Sequence, residues 1–204
     1  MEKELYTTIK KNAEKEIEKV KGSRFIGRLI KATDRENAEA ELEMIRKKYY
    51  NATHNCFAYT VGMNDQIIIR SSDDGEPSGT AGKPILTVIE GSGLSNVLLV
   101  VTRYYGGTNL GTGGLIKAYT GAAKEVIEAA EKEIIEIKKN ISFSYCYDMT
   151  NLAMNIINKY EGMVVSTEFH DFPRVKISIN KGYETDFKNE IFDRSNGAIK
   201  VELC

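Results

Sequence analysis

Two segments concentrate the residues whose types and spacing could do chemistry. The first is Ser71-Ser72-Asp73-Asp74-Gly75-Glu76-Pro77-Ser78-Gly79-Thr80-Ala81-Gly82, with three carboxylates, four hydroxyls and three glycines. Such a stretch contributes little to a core, and it is long for a plain connection. One reading is a solvated turn with Ser or Thr capping the following element. The other is a loop that presents Asp73, Asp74 and Glu76 to a cation or a substrate amine. In that reading Ser78, Thr80 and the backbone amides around Gly79–Gly82 face an anion. Nothing in the spacing fixes a hard-cation geometry, so no metal is assigned.

The second segment, Arg103–Lys117, carries five glycines between Gly106 and Gly114. It leaves an apolar strand and enters a helix. Glycine lets main-chain N–H groups approach a ligand closely, and a helix N-terminus adds partial positive charge. The expectation is an anion or phosphate site built on Gly106, Gly107, Gly111, Gly113 and Gly114, with Arg103 and Lys117 as charge partners. The alternative is a tight strand-to-helix packing corner. Gly106 and Gly111 have P-loop spacing, but Thr112 stands where the lysine belongs, and the dinucleotide fingerprint is also absent. Tyr104 and Tyr105 point to opposite faces of a strand end, so one at most joins a site; the expectation is that Tyr104 does, beside Arg103 and Lys117, where it could stack on a base. In His54-Asn55-Cys56 the histidine and thiol share one strand face. No third ligand accompanies them, and a hydrogen-bonded strand histidine near the loop is the reading preferred. No nucleophilic triad or nuclease signature appears, and no cofactor is implied.

The elements that must position these segments follow from periodicity. Leu5–Lys10 and Arg24–Ile30 read as strands, while Ala13–Lys21 is ambiguous between strand and helix. Asp34 is an N-cap for a helix reaching Tyr49. Thr53–Gly62 and Gln66–Arg70 form a hairpin about Met63-Asn64-Asp65. Pro84–Ile89 packs on the sheet as a helix or turn, Asn96–Thr102 is a strand covered on both faces, and Leu115–Ala130 is a helix. Beyond a boundary at 134–140, where the chain leaves that helix, the order changes. Ile141–Tyr147, Leu152–Tyr160, Met163–His170, Val175–Asn180, Tyr183–Phe192 and Ala198–Leu203 spell β-α-β-β-α-β, the ferredoxin-like arrangement. Gly162 is read as the residue that ends the first of these helices. The expectation is an α/β (α+β) chain with domains at 1–136 and 137–204.

Composition narrows the partners. The 204 residues include 28 Lys+Arg against 29 Asp+Glu, a net charge of −1. That lacks the global basic excess of many nucleic-acid binders, although a local patch is compatible with it. The longest apolar run, Val97–Val101, is far short of the roughly 20 residues that span a bilayer. No secretory signal is read at the N-terminus. Three widely spaced cysteines argue for a reducing cytoplasm.

Four ordered blocks carry a family resemblance: Ser23-Arg24-Phe25-Ile26, His54-Asn55-Cys56-Phe57-Ala58-Tyr59, Ser72 to Pro84, and Val101 to Gly107 with Leu110 to Leu115. Together they resemble the YigZ/IMPACT family. The resemblance implies an N-terminal β-α domain of the fold shared with a ribosomal-protein domain, RNase PH and the GHMP kinases. It implies a C-terminal ferredoxin-like domain similar to the last domain of elongation factor G. Eukaryotic members regulate translation by restraining an initiation-factor kinase, using an additional RWD domain that this sequence does not contain, so the kinase role is not carried over. The resemblance points to RNA, ribosomal particles or translation factors as partners. A small-molecule enzyme, a hydrolase or phosphate-handling protein using the same cleft, is the alternative, and no catalytic residue is assigned.

Overall fold

The computed structural model of the chain describes residues 4–63, 66–169 and 171–203. It forms two compact units, one on Thr7–Ile134 and one on residues 4–6 with 135–203. Residues Asn64 and Asp65 of the expected hairpin turn, and His170, lie outside the described residues.

The larger unit is built on a five-stranded antiparallel sheet. Its order is β2 (Ala13–Glu16), β3 (Arg24–Lys31), β6 (Val97–Tyr104), β4 (His54–Val61) and β5 (Ile68–Ser72). The central β6 has Val97 to Val101 wholly buried because both faces are covered. Leu98 and Val100 join the core under α1 (Arg35–Lys48), with Leu42 and Ile45. Val97, Leu99 and Val101 join the core under α2 (Gly82–Ser92) and α3 (Gly111–Ala129). Helix α3 lies close on β3, where a Cβ at Gly27 would stand 2.7 Å from the Ala122 carbonyl. At the start of α1, Asp34 accepts a hydrogen bond from the Asn37 amide at 2.8 Å, the cap that its residue type predicts.

Two local expectations change. The ambiguous Ala13–Lys21 stretch contributes the edge strand β2, whose three charged, exposed residues suit a sheet edge. The chain does not leave the long helix at 134–140. Helix α3 ends at Ala129, and Lys132–Glu136 is a strand, β7, paired with β1 (Leu5–Ile9).

The smaller unit runs β8 (Lys138–Ser144), α4 (Thr150–Lys159), β9 (Met163–Phe169), β10 (Pro173–Asn180), α5 (Glu184–Arg194) and β11 (Val201–Leu203). Its antiparallel sheet has the order β11-β8-β10-β9, the ferredoxin-like topology. Ile141, Phe143, Val175, Ile177 and Ile179 pack there against Ile156, Ile157, Phe187 and Ile191. Helix α4 ends differently from expectation. The left-handed residue is Glu161, at φ 53°, and Gly162 follows it. The amides of Glu161 and Gly162 bond back to the carbonyls of Asn158 and Ile157, which completes a Schellman cap with a non-glycine residue in the strained position. No helix among the described residues is long and apolar enough to cross a membrane.

Candidate functional site

At one end of the larger sheet, Phe25, Arg103 and His54 stand opposite one another on β3, β6 and β4. Strand alternation turns all three toward the α2 and α3 face. The Arg103 guanidinium donates to Glu76 Oε1 at 2.6 Å and to Ser23 Oγ at 3.3 Å. The rings of Phe25 and Tyr105 each lie 5.4 Å from its central carbon. Both partners are sequestered, with side-chain exposures of 6% for Arg103 and 3% for Glu76. A buried pair of this kind offsets a large desolvation penalty only while both charges are present. Among the described residues the Arg103 Nε hydrogen has no hydrogen-bond partner, so the guanidinium is incompletely satisfied there.

Glu76 is the hub. It also accepts from the Tyr119 hydroxyl at 2.8 Å, and His54 Nε2 lies 3.9 Å away. His54 Nδ1 sits 2.8 Å from the Asp74 carbonyl. A carbonyl can only accept, so Nδ1 carries a hydrogen, and the ring's Nε2 is turned toward the Glu76 side. Cys56, one row further in, has Sγ 2.9 Å from the Asp73 carbonyl and 3.3 Å from the Tyr119 hydroxyl. Burial pushes the Cys56 thiol up to about 12, against the opposing effect of its hydrogen bond to the Tyr119 oxygen. Wholly buried and held at the Asp73 carbonyl, it packs inside the core beside the site. Burial, followed by the neighbouring Cys56 and Glu76, raises Tyr119 above the ordinary phenol range.

The acidic loop closes on itself. Asp73 accepts from the amides of Gly79, Ala81 and Gly82 at 2.8, 2.9 and 2.8 Å. Burial alone would raise its carboxyl, but those three backbone donors outweigh it and hold Asp73 below the usual carboxylate range. Ala81, the residue at the α2 N-cap, has no side chain to cap with, and Asp73 supplies the missing acceptor. Asp74, at φ 46°, accepts from the Asn55 amide at 2.7 Å and from Arg46 at 3.1 Å. Thr80 is buried and its hydroxyl donates to the Pro77 carbonyl at 2.6 Å. Ser78 is exposed and outside the pocket described next. Of the loop's expected ligands, only Glu76 reaches that pocket; Asp73 and Asp74 are engaged with the protein's own main chain.

The second segment opens where the first closes. A pocket of about 480 Å³ is lined by His54, Glu76, Arg103, Tyr105, Gly111 and Thr112, with Thr53, Pro77, Asn109, Leu110 and Leu115. Helix α3 begins on this pocket with no side-chain cap and no acidic residue in its first turn. Its leading amides are therefore available to an anion. Gly111, at φ 73°, and Gly113 have open space where a Cβ would stand. Gly106 serves packing instead, since a Cβ there would come within 2.0 Å of Gly22. Gly107 adopts φ 84°, and Gly114 sits against the Leu110 side chain. Of the two tyrosines, Tyr105 lines the pocket and is 46% exposed. Tyr104 lies away from it, under Arg24 and within 3.3 Å of Asn51. Lys117 is exposed on α3 outside the lining.

Sequence reasoning missed Ser23, Tyr105 and Tyr119 as parts of this arrangement. Tyr119 belongs to the buried apolar face of α3, with Leu115, Ala118, Ala122 and Val126. The signal was available: a phenol on an otherwise alanine-rich buried face needs a partner for its hydroxyl.

The Impact N-terminal domain model matches residues 21–127, which contain the whole pocket. The chain is 34% identical over 187 residues to an IMPACT family member of Haemophilus influenzae, covering 91% of each protein. It is 31% identical over 188 residues to IMPACT family member YigZ of Escherichia coli, again covering 91% of each. A solved structure described as that of a hypothetical protein superposes with a TM-score of 0.74 at 28% identity, over 100% of this chain and 98% of the other. On the domain match and on full-length similarity alike, this chain belongs to the IMPACT family.

Proposed function

We propose that this chain is a cytoplasmic binding protein of translation or its regulation, taking a phosphate-bearing segment of RNA at the pocket under α3. One observation carries the reading: the uncapped N-terminus of α3 opens on a pocket that also holds the buried, incompletely satisfied Arg103 guanidinium. Oriented amides and a fixed cation are the two components of a phosphate site. Tyr105 beside them offers a face on which a base can stack. The setting in translation comes from the family resemblance.

The test is anisotropy of labelled single-stranded RNA, and co-sedimentation with ribosomal particles, across a salt series. The logarithm of the affinity should fall linearly with the logarithm of the salt concentration. Arg103→Ala should weaken it. Because Arg103 is buried, Thr112→Asp is the cleaner variant, placing a carboxylate in the exposed first turn of α3. It should lower affinity by about tenfold or more, roughly 1.4 kcal/mol. No binding at low salt removes this reading.

A second reading, a small-molecule enzyme, is favoured by the cluster on Glu76. Arg103, Tyr119 and His54 gathered on one carboxylate are more ionisable groups than holding a phosphate requires. Thermal denaturation against a library of phosphorylated metabolites tests it, since a tight ligand raises the melting temperature. An unchanged melting temperature across the library removes the enzyme reading.

A further inference from the structure

A second concavity in the larger unit lies apart from the Arg103 pocket, between the outer sides of α2 and α3, with a volume of about 790 Å³. Its walls follow a single spacing. On α2 the lining residues form two rows four apart, Lys83-Thr87-Gly91 and Pro84-Val88-Ser92. On α3 they form a third, Ile116-Thr120-Lys124-Glu128, with Ile127 beside it. Rows at i, i+4, i+8 are the ridges between which another helix seats its own side chains.

Three observations specify the occupant. Val88 and Ile116 supply apolar surface above the buried Pro84 and Ile127, and Ile116 is 41% exposed although it is a large aliphatic residue. Gly91 lies in the last turn of α2, where glycine is a poorer helix former than alanine. A Cβ there would meet nothing within 4 Å, so packing inside the chain does not require the glycine. Its effect is to keep that wall low. The rim is positive: Lys83, Lys124 and Lys132 line the groove with Glu128 as its one carboxylate, and among the described residues none of the three lysines has an ion-pair partner.

We propose that this groove is a docking site for an amphipathic helix of a protein partner, with an apolar stripe flanked by carboxylates. The apolar stripe would lie over Pro84, Val88 and Ile116, its backbone would approach at Gly91, and its acidic flank would meet the lysines. This is helix-in-groove recognition with charge setting the orientation. It is independent of what the Arg103 pocket binds.

The probe is a labelled peptide of about four helical turns, with leucines at helical spacing and glutamates on both flanks. A matched control peptide replaces the glutamates with lysines. Anisotropy with the intact chain should show binding of the acidic peptide, weakened by salt, and not of the basic one. The double variant Lys83→Glu/Lys124→Glu changes exposed side chains only. It should lose about tenfold or more in affinity for the acidic peptide and gain affinity for the basic one. Gly91→Leu should also abolish binding by filling the groove, while leaving α2 folded by circular dichroism. RNA binding at the Arg103 pocket should be unchanged in both variants, which separates this site from that one. The proposal is overturned if the acidic peptide does not bind, if both peptides bind equally, or if neither variant alters binding. Saturable binding of dodecanoate at the groove without peptide binding would assign it to a small amphiphile. Dimerisation of the chain abolished by Gly91→Leu, without peptide binding, would assign it to a second copy. Either result overturns the partner-helix proposal.

Discussion

The two glycine-rich segments lie side by side and solve opposite problems. Ser71–Gly82 is dense in polar side chains, and apart from Ser71 and Ser78 they turn inward. Asp73 satisfies three amides, Asp74 binds Asn55 and Arg46, and Thr80 bonds to Pro77. The Gly106–Gly114 stretch is poor in polar side chains, and it leaves its main chain open at an uncapped helix. Polar content thus marks where the fold is clasped, and polar deficit marks where a ligand has room. Glu76 alone crosses from one role to the other, because it leaves the loop to neutralise Arg103.

The largest effect should come from cutting that crossing. Glu76→Ala strands the Arg103 charge in a buried site, and breaking such a pair costs about 3–5 kcal/mol. Urea denaturation should show it as a lower midpoint with an unchanged slope. A loss under about 1 kcal/mol would mean that the pair behaves like a solvated one. The next effect belongs to the clasp. Asp73→Ala removes one acceptor from three amides and should cost about 3 kcal/mol, again by urea denaturation. The pH dependence has a definite sign. The folded carboxyl of Asp73 lies below its unfolded value, so its stabilisation is complete above about pH 4 and is lost as pH falls through the folded value. Asp73→Asn should therefore flatten the acid limb of the stability curve relative to the wild type. An identical acid limb in the variant would remove Asp73 as its source.

Much of the frame was readable in the sequence. Five aliphatics in Val97–Val101 gave a strand buried on both faces, and Asp34 gave a helix cap, because burial and capping are written in local residue types. The β-α-β-β-α-β order of the second half was equally legible from periodicity. The roles of the acids were not. Asp73 looks like a cation ligand beside Asp74 and Glu76, and only the fold shows that the amides at Gly79–Gly82 lie within its reach. Even so, a helix starting after Ala81 with no capping side chain implies an acceptor from elsewhere. Likewise the spacing of Arg103 and Glu76 says nothing of their pairing, since β6 and the loop meet through tertiary structure. Alternation sets Tyr104 and Tyr105 on opposite sides but does not say which side carries the pocket, and the tyrosine that lines it is Tyr105 rather than the expected Tyr104.

The remaining tests separate glycines that pack from glycines that leave room. Gly106→Ala pushes a methyl into the Gly22 backbone and should destabilise by about 2 kcal/mol, as overpacking does. Gly113→Ala should do the reverse. Its Cβ would enter open space, its φ is not in the left-handed region, and it lies in the first turn of a helix, where alanine is favoured. Thermal or urea denaturation should show a gain of up to about 1 kcal/mol. The same methyl stands beside the leading amides of α3, so RNA or phosphate affinity should fall while stability rises. Opposite signs in one variant are difficult to obtain from a glycine kept for packing. If Gly113→Ala lowers stability, the segment is a packing corner after all, and the open main chain loses its functional meaning.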